Sequence, residues 1–244
     1  MRSPETKLGH HFQALEPEEE GPLSEGCFVV PSFIGYAEMP SYAHWLAGMP
    51  RSIFFKFLRD ILKHLQWQGL ANPDRPWLLK SPNYNGLEPE IRAVFPDACF
   101  VVAHRSPIET LASMCKLLRC FRQAYGRPNM DNALIIEGNY RAMEAHLANR
   151  RTHPGLPILD VCFQDIVSAL PATLQSIYDH SGITLTEAAR EKMLRWNAKN
   201  TLHKLGEFRY SLKDSGLDEA VIRARMAGYF ELLDTLSARA ESGG

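Results

Sequence analysis

The stretch "FVVAHRSPIETLAS", Phe100 to Ser113, ends an apolar run on His104 and Arg105, starts a helix at once, and places a serine eight residues after the arginine. Ligands of parallel α/β sheets bind beyond the carboxyl ends of the strands, which is where His104 and Arg105 emerge. The guanidinium of Arg105 offers a planar fork of donors suited to a phosphate, and the Ser113 hydroxyl on the following helix can add another. Two readings stand at this point: an anion-binding corner, or a structural or solvated arginine at a strand end.

The helix after the corner is marked by three rules. Ser106 is an N-cap type, Pro107 fits the first helical position, and Glu109 stands where it closes a capping box. Its apolar stripe is Ile108, Leu111, Ala112, Cys115 and Leu118, with Ser113 on the flank.

The elements around this corner follow from periodicity. Ile53, Phe54, Phe57, Leu58, Ile61, Leu62 and Leu65 recur at three- and four-residue steps and predict an amphipathic helix over 51–68. "WLLK" (77–80), "ACFVVAH" (98–104) and "PILDVCF" (157–163) predict strands, with a crossover helix in "GLEPEIRAVFPD". Further helices are expected at about 107–123, 131–149, 165–180 with a break near Pro171, 186–200 and 217–238. Alternation of strand and helix gives an α/β, three-layer αβα class with a small parallel sheet. The organisation expected is an irregular acidic lead-in over 1–26, an α/β domain over 27–238 and a disordered tail over 239–244.

The 244-residue chain, 45% apolar, is long enough to bury a real core. Its 27 Lys plus Arg balance 28 Asp plus Glu, so no overall field draws it to nucleic acid or acidic lipid, and any anion must be held locally. The five cysteines, Cys27, Cys99, Cys115, Cys120 and Cys162, show no CxxC or zinc spacing and read as reduced thiols of a cytoplasmic protein, with no metal. No apolar run reaches the roughly 18 residues of a membrane span, and the start lacks a signal-peptide core.

"WLLKSPNYNGLEPEIRAVFPDACFVVAHRSPIETLAS" resembles the core of the bacterial sulfotransferase family: an aromatic before L-K-S-P, then F-P-D-A, V-x-x-H-R-x-P and a serine. "VCFQDIVSALPATLQSIYDHSGITL", "FRYSLKDSGLDEAVIRARMAGYF" and "HHFQALEPEEE" extend the resemblance over roughly residues 10–232. It implies the P-loop-like sulfotransferase fold, with 3′-phosphoadenylyl sulfate (PAPS) as cosubstrate. Arg105 and Ser113 are then implied to bind the 3′-phosphate, Phe163 to lie near the adenine, and Arg209 and Tyr210 to close over the phosphate side. Lys80 is implied to neutralise the sulfuryl group or bridging oxygen; its other reading is a lysine exposed at a strand end.

Two departures from the family pattern shape the expectation. Tyr84, between Asn83 and Asn85, stands where many relatives have a histidine, and a neutral phenol is a poor base near neutral pH. Glu19 becomes the first candidate base, with Glu18, Glu20 and His11 behind it; a solvated acidic loop is the other reading. The family's opening strand and R-S-G-T-T loop, which grips the 5′-phosphosulfate, has no counterpart here, nor does a G-x-x-x-x-G-K-[ST] motif. The chain is therefore expected to be a fragment, incomplete at its N-terminus, weakly active or inactive, and able to self-associate through an incomplete sheet.

The implied function is sulfuryl transfer from PAPS to a hydroxyl or amine. A non-catalytic nucleotide-binding or scaffold domain and a nucleotide-kinase-type phosphotransferase are the competing classes. Phe33, Tyr36, Tyr42, Trp45, Phe54, Phe121 and Tyr125 point to a small-molecule acceptor that is lipid-like or aromatic, although helical aromatics are commonly core.

Overall fold

The computed structural model describes residues 4–10, 18–123, 126–127, 131–201 and 204–242. His11 and Tyr125, singled out above, lie outside them. The described chain is α/β with a small parallel sheet, and it divides into two units: 1–6, 10–98 and 117–154 form the first; 7–9, 99–116 and 155–244 form the second. Among the described residues no helix is long and apolar enough to cross a membrane. No disulfide joins the cysteines.

The first unit is helical. Helix α1 (Ser52–Trp67) packs on α2 (Glu88–Val94), and α2 packs on the long helix of Ala133–Thr152. The buried line of α1 is Phe55, Leu58 and Leu62, one helical face, while Ile53 turns outward. Each such side chain contributes about 1.5–3 kcal/mol by leaving water, and Ile91 and Val94 of α2 add to the same core. α1 stops at Gly69, whose φ of 72° lets the Leu70 N–H bond back to the Leu65 carbonyl at 3.0 Å.

The expected strand over 77–80 is not a strand. The Lys80 N–H, a ladder donor had a strand paired there, bonds instead to the Glu20 carboxylate at 2.9 Å, and Leu78 is 94% exposed. A side-chain acceptor has replaced the neighbouring strand. The lead-in is likewise not wholly irregular: short helices occupy Pro4–Gly9 and Gly21–Ser24, and a 3₁₀ turn Glu25–Cys27.

The second unit holds the sheet. Strand β1 (Phe100–His104) pairs in parallel with β2 (Ile158–Cys162), with Val102 opposite Asp160 and His104 opposite Cys162. The parallel pair is thus formed by the second and third expected strands. Their connection runs through α3 (Pro107–Gln123) and α4, the Ala133–Thr152 helix. After β2 come α5 (Phe163–Ser168), α6 (Leu170–Ser181), α7 (Glu187–Lys199), α8 (Glu219–Arg225) and α9 (Ala227–Ser242). The break near Pro171 falls at Ala169, and the helix expected over 217–238 is two, divided at Met226. Helices α5, α6 and α9 pack on β2, and Leu111, Ala112, Cys115, Val161, Ile222, Met226 and Tyr229 form the apolar interior. On β1, alternate residues Val101 and Ala103 are exposed, Val101 at 41%.

Candidate functional site

Arg105 follows the last residue of β1, and its side chain is held from three sides within the second unit. Nε donates to Glu109 Oε2 at 2.9 Å, and Nη2 donates to the Tyr210 hydroxyl at 3.0 Å. The guanidinium carbon lies 4.6 Å from the centroid of the Phe163 ring, a cation–π distance. Nη1 has no hydrogen bond among the described residues, and the side chain remains 34% exposed. Partial burial acts against the charge, but the Glu109 hydrogen bond and the Tyr210 oxygen outweigh it and hold the group above its ordinary range.

Helix α3 begins as expected at Pro107, which is buried, but the capping box does not form. Glu109 turns its carboxylate to Arg105 rather than back to the Ser106 N–H, because a charged fork is a stronger donor than a neutral amide. Ser113 lies two turns along, half-buried, and its hydroxyl makes no hydrogen bond among the described residues. The Tyr210 segment docks on the same helix: the Ser215 hydroxyl reaches the Ala112 carbonyl at 3.5 Å. Arg209 does not join the corner. It pairs with Glu207 at 2.9 Å and is 84% exposed.

Behind Arg105 is a buried polar chain that the pattern reading missed. His104 has a fully buried side chain; its Nε2 is 2.9 Å from Asp160 Oδ1 and its Nδ1 2.9 Å from the Tyr229 hydroxyl. The register puts His104 and Asp160 on one face of the sheet. An aspartate in the middle of the apolar run "ILDVC" was the available signal, since a carboxylate there demands a buried donor.

In the first unit, Lys80 Nζ donates to Glu19 Oε1, and the Tyr84 hydroxyl donates to Glu20 Oε1. Glu20 is buried and also takes the Lys80 N–H. Tyr84 packs against Phe54 and Phe55, and burial, then the Glu20 hydrogen bond and the nearby carboxylates, push its phenol far above the ordinary range. Tyr84 is therefore a donor and not a base. Glu18 pairs with His10 at 3.1 Å; burial works to raise its pKa, but the Glu19 amide and His10 hold it below the usual carboxylate range.

The loop after Lys80 is tied to α4. Glu88, buried, accepts from the Gly86 N–H at 3.1 Å, from Asn149 Nδ2 at 2.8 Å, and pairs with buried His146 Nδ1 at 2.6 Å. Asn149 also donates to the Gly86 carbonyl at 3.1 Å. Burial alone would raise the Glu88 pKa, yet His146, Asn149 and the backbone amide bring it down to about 2.

The aromatics read as acceptor-facing fall in separate groups of the first unit, with Phe54 on Tyr84 and Phe121 near His10. Phe33, Tyr42 and Trp45 pack as successive tilted pairs, and Tyr42 donates to the Val30 carbonyl at 2.6 Å.

The second unit thus presents a braced, partly exposed arginine at the carboxyl end of a parallel strand. The model of the sulfotransferase family matches residues 1–187, and the chain belongs to that family. Its fold is similar to that of the sulfotransferase STF1 from Mycobacterium tuberculosis H37Rv, with a TM-score of 0.74 and 28% identity over 91% of this chain and 57% of that one. The sulfotransferase STF9 from Mycobacterium avium shares the fold at a TM-score of 0.75 and 21% identity, with the same coverages of 91% and 57%. The chain thus spans a little over half the length of each. No curated protein matches it.

Proposed function

We propose that this chain is a PAPS-dependent sulfotransferase domain whose second unit binds the 3′-phosphate of the nucleotide. The observation that carries this reading is the state of Arg105: the guanidinium is braced by Phe163, Glu109 and Tyr210, yet Nη1 has no hydrogen bond among the described residues. The donor set fits a dianionic phosphate. Arg105 supplies charge and geometry, and Ser113 Oγ supplies a hydroxyl with no competing partner among the described residues. Phe163, assigned to the adenine by resemblance, has one face against Arg105, so it acts first as a brace and offers only its other face to a base.

When bound, PAPS supplies a sulfuryl group that passes in line to a hydroxyl or amine as the sulfur–oxygen bond to the 5′-phosphate breaks. In this reading Lys80 lends positive charge to the departing oxygen and Glu19 accepts the acceptor's proton. The Lys80–Glu19 ion pair means that both roles begin with an exchange: the ammonium must leave the carboxylate to meet the sulfuryl oxygens, which frees the carboxylate to take a proton. Glu20 is already committed to Tyr84 and the Lys80 amide, so it positions and does not abstract.

A second reading, a non-catalytic nucleotide-binding domain, is favoured by one observation: the Tyr84 hydroxyl is locked to Glu20 where relatives carry a base. Titration calorimetry with adenosine 3′,5′-bisphosphate and with ATP tests the nucleotide assignment, and label transfer from PAPS separates the two readings. Preference for the bisphosphate, lost in Arg105→Ala, is expected. Equal indifference to both nucleotides would sink the assignment.

A further inference from the structure

The residues Asp160, His104 and Tyr229 lie outside every role assigned above, and they form a continuous buried line that ends at Arg105. For a neutral imidazole their donor and acceptor pattern has one consistent solution. Asp160 accepts, so His104 Nε2 carries the proton; Nδ1 is then the acceptor, and the Tyr229 hydroxyl donates to it. The opposite tautomer would aim a lone pair at a carboxylate. Burial pushes the Tyr229 phenol up to about 12, against the pull of the Arg105 backbone amide on its oxygen, so the hydroxyl keeps its proton to donate. Both rings are buried, with centroids 5.6 Å apart, so water does not compete for the His104–Tyr229 bond.

We infer that the Asp160–His104–Tyr229 chain is a positioning device for the phosphate site: it fixes the backbone at the β1 exit and so sets the direction in which Arg105 presents its guanidinium. This rests on the reading that Arg105 meets the nucleotide's 3′-phosphate. The chain's three members come from β2, β1 and α9, so the arginine is aimed by elements that are far apart in sequence. A bidentate contact is sensitive to angle, and a single residue's backbone rotation is enough to turn two hydrogen bonds into one.

The test is a double-mutant cycle read by calorimetry with adenosine 3′,5′-bisphosphate on the whole chain. Tyr229→Phe removes one hydroxyl and is expected to weaken binding roughly 3- to 10-fold, the effect of one net hydrogen bond. In an Arg105→Lys background the same change is expected to alter affinity by less than roughly 2-fold, because the ammonium has no fork to aim. Asp160→Asn keeps an oxygen for Nε2–H and should retain affinity, whereas Asp160→Leu should lose it; this pair covers the case in which Tyr229→Phe folds poorly by near-UV circular dichroism. An equal loss from Tyr229→Phe in both backgrounds marks a general packing effect and overturns the inference. So does no loss in the wild-type background while Arg105→Lys itself weakens binding, which leaves the nucleotide reading standing. If Arg105→Lys has no effect, the nucleotide reading fails and this inference with it.

Discussion

Each unit of the molecule places a buried histidine–carboxylate pair one step behind an exposed cation, and the two pairs are built differently. In the second unit His104 uses both ring nitrogens, to Asp160 and Tyr229, and is the sequence neighbour of Arg105. In the first unit His146 meets Glu88 through Nδ1, while its buried Nε2 has no hydrogen-bond partner among the described residues. Glu88 then reaches the Lys80 loop only through Gly86. One pair is a closed relay on the residue next to its cation. The other is a half-satisfied clamp acting through a backbone turn, with one buried ring nitrogen left without a partner among the described residues.

The comparison breaks most sharply at Glu88. Glu88→Ala strips His146, Asn149 and the Gly86 amide of their common acceptor, and should destabilise the chain by about 3–5 kcal/mol; urea unfolding followed by far-UV circular dichroism measures it. Acid provides the same test without mutation. The Glu88 carboxyl is depressed to about 2 in the fold against 4.5 in the unfolded chain. Its contribution, on the order of 3 kcal/mol, is fully present above about pH 4.5 and is lost as pH falls through about 2. Glu88→Gln should remove most of this acid dependence, and an unchanged pH profile would refute the clamp.

Smaller effects sharpen the contrast. Arg105→Ala should cost about 10- to 100-fold in bisphosphate affinity with little change in unfolding midpoint, because its contacts are partly exposed and charge-assisted. Gly86→Ala should destabilise by about 1–3 kcal/mol: φ is 79°, and an added Cβ would sit 2.5 Å from the Ala142 carbonyl oxygen. Arg209→Ala should leave both stability and affinity within roughly twofold, since its pair with Glu207 is a solvated one. A large affinity loss there would return Arg209 to the site.

What could be read beforehand was what local rules control. The 107–123 helix, β1 with Arg105 at its exit, and α1 follow from Pro107, from β-forming runs and from 3.6-residue spacing, all within one segment. What could not be read depended on distant partners. Glu20 reaches 60 residues along the chain to occupy the Lys80 amide, and so converts an expected strand into an extended segment. Glu109 fits two rules at once, a capping box and an ion pair four residues from an arginine, and only the relative strength of the donors decides between them. Asp160 is visible as an anomaly in its apolar run, but its partner His104 lies 56 residues away, beyond any local rule.

The β1–β2 ribbon has a consequence for handling the protein. It contains two strands among the described residues, and alternate side chains of β1 face solvent. In this five-residue ladder each strand has one edge paired to no other strand among the described residues, and such edges are commonly guarded by charged side chains. Replacing Val101, 41% exposed, with lysine should raise the concentration at which light scattering sets in while leaving the buried His104 face untouched.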